Sequence, residues 1–216
     1  MSVLFAGLAA CAQNAPQLRT PMANETRFGI KAGVNMATTA LGDIPTGFTK
    51  PETHNKTGYY GGVFVNIPMG ETLKFQPELL YSSQGTKMNY SYLSNKIEGE
   101  IDLNYLTLPL MVQYQTPGGF YVELGPQLGY MINKPKFQPA NGGSETDLSD
   151  YSDKFDFSIN GGLGYITRIG LGIGARYNYG ITNAMDAKNP NPLLPFREAE
   201  NRVIQVGLFY QFGASK

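Results

Sequence analysis

The chain has 216 residues, with 17 Lys and Arg against 17 Asp and Glu, so its net charge is zero. That balance argues against a nucleic-acid binder, which carries a basic face and a high pI. Only 16% of residues are charged, against about 25% in soluble domains. No stretch approaches the ~20 consecutive apolar residues of a transmembrane helix; this excludes a helical span and says nothing of a barrel.

From Val3 to Gln13 the chain reads VLFAGLAACAQ. A short apolar run closing on small residues is the ending of a secretory signal. Ala10-Cys11-Ala12 fits an A-x-A cleavage site, with the cut before Gln13. Residues 1–12 are then a signal peptide, 13–25 a short lead, 26–213 the folded domain and 214–216 a tail. Leu8-Ala9-Ala10-Cys11 also fits a lipoprotein box, with Cys11 as the lipidated residue. No Lys or Arg precedes the run. Once Cys11 is cleaved off, no cysteine remains, and an exported fold rests on no disulfide.

Eight runs then alternate with period 2: Arg27–Ala37, Thr57–Ile67, Leu73–Tyr90, Glu98–Gln115, Gly119–Ile132, Asp153–Arg168, Gly170–Asn183 and Asn201–Phe212. Nothing reads as a helix. In the first run Phe28, Ile30, Ala32, Val34 and Met36 oppose Gly29, Lys31, Gly33 and Asn35. In the third, Leu73, Phe75, Pro77, Leu79 and Tyr81 oppose Lys74, Gln76, Glu78 and Ser82. The fourth changes phase after Tyr105, from Ile101-x-Leu103-x-Tyr105 to Leu106-x-Leu108-x-Leu110, which predicts a β-bulge there. The last four runs set an uncharged apolar row against Glu123, Gln127, Asp156, Asn160, Arg176, Gln205 and many glycines.

The connections alternate in length. Pro68–Glu71, Thr116–Gly118 and Arg168–Gly170 are tight turns. Thr38–Lys56, Ser91–Ile97, Asn133–Ser152 and Ala184–Glu200 are mostly long and polar. Long-short-long-short is the rhythm of an up-and-down barrel, and bacterial outer-membrane barrels are built so. The uncharged apolar set therefore faces lipid, where Lys or Arg at mid-bilayer costs about 2–4 kcal/mol. Many aromatics fall near the strand ends, as two interfacial girdles require. The glycines face inward, where an eight-stranded barrel has room only for side chains. Lys31, Glu78, Glu123 and Arg176 are expected to form an ion-pair network across that lumen.

Other candidates are weaker. His54, in the first long loop, has Ser82, Ser83 or Ser91 for partners in a loop-borne acyltransferase; a lone loop His is far more often solvated. Glu145, Asp147, Asp150 and Asp153 lie close in sequence, but not in an EF-hand pattern. Leu193, Leu194 and Phe196 form an apolar tip on the fourth loop, a candidate contact for a protein partner. No phosphate loop, CxxC or metal cluster is present, and no cofactor or catalytic residue is expected.

The last strand carries Gln205-x-Gly207-x-x-Tyr210-x-Phe212. It resembles the insertion signal that outer-membrane assembly machinery reads, although four residues follow Phe212. RFGIKAGVN (Arg27–Asn35), FQPELLYSSQG (Phe75–Gly85), NYLTLPLMVQY (Asn104–Tyr114) and the stretch Gly162–Asn183 resemble the outer-membrane β-barrel domain family of Bacteroidota, the PorT-like small barrels. The likeness runs from about Thr26 to Phe212. It implies an all-β, eight-stranded antiparallel up-and-down transmembrane barrel in the bacterial outer membrane, with loops extracellular and termini periplasmic. The implied role is non-enzymatic: a structural or interaction barrel, an accessory subunit of a secretion or uptake complex. A narrow passive pore is the alternative. A soluble lipocalin-like binder fits the strand number but lacks the Trp of that family's first strand.

Overall fold

The computed structural model describes residues 25–42, 52–92, 95–140, 145–147, 154–183 and 198–213. Cys11 and the expected signal, the tip residues Leu193, Leu194 and Phe196, and Asp150 and Asp153 lie outside them. The strands are β1 (Arg27–Gly42), β2 (Glu52–Pro68), β3 (Leu73–Tyr92), β4 (Asn95–Gln115), β5 (Phe120–Met131), β6 (Lys136–Pro139), β7 (Thr146–Asp147), β8 (Phe155–Ile166), β9 (Leu171–Asn183) and β10 (Glu198–Gln211). The eight long strands form one closed antiparallel ring, in which β1 pairs with β10 and the β3–β4 pairing completes the circuit. The two short strands, β6 and β7, extend the sheet from the far end of β4.

The turns explain why neighbouring strands pair. Thr116–Gly119 and Thr167–Gly170 have the same construction. In each, the Thr hydroxyl donates to the carbonyl four residues on, at 3.0 and 2.8 Å. In each, the Gly amide donates to the Thr carbonyl at 3.0 Å. Gly119 and Gly170 take φ of +93° and +88°, a conformation nearly reserved for glycine. Both described chain ends lie at this turn side of the ring.

The registers also set the tilt. Stepping across the ladders from Ile67 through Phe75, Val112, Leu124, Gly161, Tyr177, Ile204 and Met36 returns to β2 at Thr57. The circuit closes 10 residues (67 − 57) from its start. Eight strands with that stagger tilt by about 40° to the barrel axis. Every side chain on this path belongs to the outward set. Phe28, Phe120 and Leu171 begin the outward apolar rows at the turn side, and Met36, Tyr130 and Tyr179 lie toward their far end. A row of ~10 residues at ~3.3 Å each, so tilted, is about 25 Å tall, the height of an apolar belt fitted to a bilayer.

Burial follows parity. Along β5, outward Phe120, Val122, Leu124, Leu128 and Tyr130 are exposed, and inward Tyr121, Glu123 and Gln127 are buried. None of the outward belt residues is charged. This is the reverse of a soluble sandwich, so the alternation is that of a barrel whose solvent is hydrocarbon.

The bulge expected near Tyr105–Leu106 does not form. β4 keeps one register with β3 from Leu80↔Thr107 to Tyr92↔Asn95 and with β5 across the same point. Ile101, Leu103 and Tyr105 instead turn inward and are 1–5% exposed, joining Ala37, Met131, Phe137 and Val203. Outward on this stretch are Glu100, Asp102 and Asn104, and Lys56 bridges Glu100 and Asp102 at 3.3 and 2.5 Å. The change of phase marks the height at which the wall leaves the apolar belt: outside becomes polar, so the apolar set moves in. Ladder irregularities fall elsewhere, between Asn55 and Tyr60 and between Glu200 and Arg202.

The loop-side strands are also longer than their alternation indicated. Most of 91–97 is strand, and β1 and β2 extend well into the expected first loop. His54 is therefore on β2, exposed and opposite Lys87, not in a loop.

Leu124 is 63% exposed near the middle of the belt. Leu124→Arg is expected to lower folded stability in lipid vesicles by about 2–4 kcal/mol, read from urea unfolding of the heat-modifiable band. Glu98→Arg, beyond the belt, is expected to be neutral.

Candidate functional site: a hydrogen-bonded ring across the lumen

Parity aims Lys31 (β1), Glu78 (β3), Glu123 (β5) and Arg176 (β9) at the barrel axis. β3 and β9 are opposite one another in the ring of eight, so the Arg176 and Glu78 side chains together span the lumen. It meets Glu78 as a fork on a carboxylate, Nη1 to Oε2 and Nη2 to Oε1, both at 2.9 Å. Its Nε and Nη2 reach Glu123 Oε1 at 2.8 and 2.7 Å. Lys31 Nζ donates to Glu78 Oε1 at 2.7 Å. Two cations and two anions cancel.

Three amides complete the circle. Gln76 Nε2 donates to Glu78 Oε1 at 2.8 Å, and Gln76 Oε1 accepts from Asn66 at 2.8 Å. Asn66 also donates to Gln113 Oε1 at 3.0 Å, and Gln113 Nε2 donates to Glu123 Oε2 at 2.8 Å. The path Glu78–Gln76–Asn66–Gln113–Glu123–Arg176–Glu78 is a closed ring with Lys31 attached. All seven residues are 2–9% exposed. Buried charges are tolerable only when paired and hydrogen-bonded in this way. The four ionic members are the expected residues; the three amides are additional. Their signal was parity, since Gln76 shares the inward face of β3 with Glu78 and Gln113 is inward on β4, opposite Glu123.

Aromatic rings fill the lumen around this network, and glycines make the space. A Cβ on Gly29 would fall inside the Phe64 ring and one on Gly172 inside the Phe209 ring. Tyr121 covers Gly164 and Gly174, and Tyr60 covers Gly33 and Gly207. Phe209 stands edge-on to both Phe64 and Tyr121, with centroids 6.0 Å apart. The inward glycines thus admit rings as well as long polar chains. A void of about 10 Å³ between Lys31, Tyr60, Tyr121, Glu123 and Arg176 has room for about one water.

Toward the loops a second polar layer follows. Asn35 donates to Ser82 at 3.1 Å, and Asn178 donates to Ser158 and Asn160 at 2.8 and 2.7 Å. Asn160 donates to Gln127 at 3.0 Å. Ser82 is therefore a buried lumen residue, and Ser83 is on the outer side of the same strand. Glu145 pairs with Lys136 at 2.8 Å on the exposed annex, and Asp147 lies on β7 beside it. On β10, Gln205 and Gly207 are inward while Tyr210, and Phe212 just past the strand, are outward, their rings edge-on with centroids 5.2 Å apart.

Arg176→Ala would leave buried Glu123 without its cation and Glu78 with Lys31 alone. It is expected to cost about 3–5 kcal/mol of unfolding free energy in vesicles. Adding Glu123→Gln to it should restore most of the loss, because Lys31 and Glu78 still pair and no unpaired charge then remains.

The chain matches the model of the outer membrane protein beta-barrel domain over residues 11–186. OprG of Pseudomonas aeruginosa is 15% identical with a TM-score of 0.52, over 88% of this chain and 97% of that one. Neisserial surface protein A is 14% identical with a TM-score of 0.51, over 88% of this chain and all 100% of that one. At such identities the likeness is one of fold. No curated protein matches in sequence. The family match covers most of the chain, which belongs to the outer membrane protein beta-barrel family.

Proposed function

We propose that this member of the outer-membrane barrel family is a plugged, non-enzymatic barrel that works through its surfaces, as an accessory subunit of a secretion or uptake complex. The observation that carries the reading is the closed ring through Arg176, Glu78 and Glu123. A guanidinium–carboxylate bridge spans the lumen from wall to wall, aromatic rings pack around it, and the void beside it has room for about one water, which supports a plug rather than a path for hydrated solute. Catalysis has no support from His54, which sits exposed on β2 opposite Lys87.

The same reading places the turns and termini in the periplasm and the loops outside. Residues 1–12 act as the export signal. Gln205, Gly207, Tyr210 and Phe212 act as the signal for the assembly machinery, whose recognition of a terminal strand is an edge-pairing problem. Within the family we assign the chain to the PorT-like barrels of Bacteroidota, on the stretches Arg27–Asn35, Phe75–Gly85, Asn104–Tyr114 and Gly162–Asn183. The loop-side face, including Leu193, Leu194 and Phe196, is the surface offered to a protein partner.

Planar-bilayer recording tests the plug. Wild-type protein is expected to give no open-channel steps. Steady single-channel conductance on the order of a porin's would overturn the reading in favour of a passive pore. Assembly is tested in cells: Phe212→Ala with Tyr210→Ala is expected to reduce the heat-modifiable fraction severalfold. An unchanged fraction would remove these two residues from the insertion signal.

A further inference from the structure

At the turn side the lumen ends in a mouth, where one inward cation lacks, among the described residues, the ion-pair partners that those of the ring have. Lys74 on β3 has inward parity and is half-buried. Two strands away on β1, Arg27 is also inward and half-buried, within Coulombic range of the Lys74 ammonium. No carboxylate pairs with Lys74 among the described residues. The groups beside it are committed elsewhere. Gln113, its register partner on β4, gives Oε1 to Asn66 and Nε2 to Glu123. Its register partner on β2 is Pro68, which has no polar side chain.

A third group lines the same mouth. Gln211 on β10, the other neighbour of β1, is inward and 3% exposed, and its Nε2 has no acceptor. A buried donor without a partner costs about 1–3 kcal/mol, so such groups are few and need a reason. Arg27 has a partner of its own, so among the described residues of the mouth the unpartnered groups are the Lys74 ammonium and the Gln211 amide donor.

We infer that the turn-side mouth is an anion-binding site, in which Lys74 and Arg27 supply charge and Gln211 a buried donor, for a carboxylate or phosphate presented from that end. The site is separate from the plug: it takes no member of the ring, and it stands whether or not the lumen conducts. Two sources offer the same chemistry. One is the anionic headgroup of a bilayer lipid on the turn side; the other is an acidic group of a soluble ligand or protein.

The test uses the folded full chain in a zwitterionic detergent. Chloride is replaced by inorganic phosphate or acetate at constant pH and ionic strength, and the unfolding midpoint is followed. A ligand that binds only the folded state raises the midpoint in a concentration-dependent way. A saturable rise is expected in the wild type, kept in Lys74→Arg and lost in Lys74→Gln. No anion-specific rise, or an equal rise in Lys74→Gln, would overturn the site. If Lys74→Gln does not fold, binding of radiolabelled phosphate to folded wild type and Lys74→Arg at equal ionic strength decides, and absence of saturable binding overturns the site. Nanodiscs then separate the sources. A phosphate effect lost in phosphatidylglycerol discs but kept in phosphatidylcholine discs assigns the site to a lipid headgroup; one kept in both assigns it to a soluble anion. Conductance unchanged in Lys74→Gln would show that the plug is a separate matter.

Discussion

Hydrocarbon supplies no hydrogen bonds, and the architecture follows from that. Every amide in the belt must find its partner within the protein, which a sheet achieves only by closing on itself. Here closure is the β1–β10 and β3–β4 pairings. With eight strands and a stagger of 10 residues (Ile67 back to Thr57), closure also fixes a lumen wide enough for side chains alone. The core is then not chosen freely. Whatever faces in must fill a narrow cylinder without voids, and the glycines at 29, 172, 164 and 174 against Phe64, Phe209 and Tyr121 are how this chain does so.

The same closure makes the charges interdependent. In a lumen this narrow, side chains from opposite walls meet, so Arg176 on β9 bonds Glu78 on β3. A buried ion cluster of this kind is poor evidence of net stability, because desolvation offsets much of the attraction. Its larger effect is on specificity. Shifting any one strand by one residue would turn its ring member out into lipid, since parity has period 2. Five strands carry a ring member and a sixth carries Lys31, which ties the registers of most of the wall to a single polar centre.

The wall was legible where one solvent acts on each face. Alternation with an uncharged row identified the belt strands, and the parity of Lys31, Glu78, Glu123 and Arg176 put them in the lumen. The reading failed where the outer solvent changes. At Ile101, Leu103 and Tyr105 the apolar residues switch parity; a bulge and a change from lipid to water look alike in one strand. Only the uninterrupted register with β3 and β5 separates them. The ends of the strands were hidden for the same reason, since polar residues outside the belt resemble loop. Gln76, Asn66 and Gln113 were less visible than the charges, because an amide on an inward parity does not announce which neighbour it will bond.

The wall also carries a cost that alternation does not reveal. Pro77, Pro109 and Pro126 lie on three adjacent strands, and proline contributes no amide to a ladder. Beside them the ladders skip pairs without changing register, between Pro77↔Leu110 and Leu80↔Thr107 and between Pro109↔Gln127 and Val112↔Leu124. Yet this is the sector from which the ring draws Glu78, Gln76, Gln113 and Glu123. Side-chain bonds through the lumen therefore join these strands beside the places where their ladders skip pairs. Filling the lumen and securing the wall are one task here, and opening the ring would loosen the barrel beside the prolines that break its ladders.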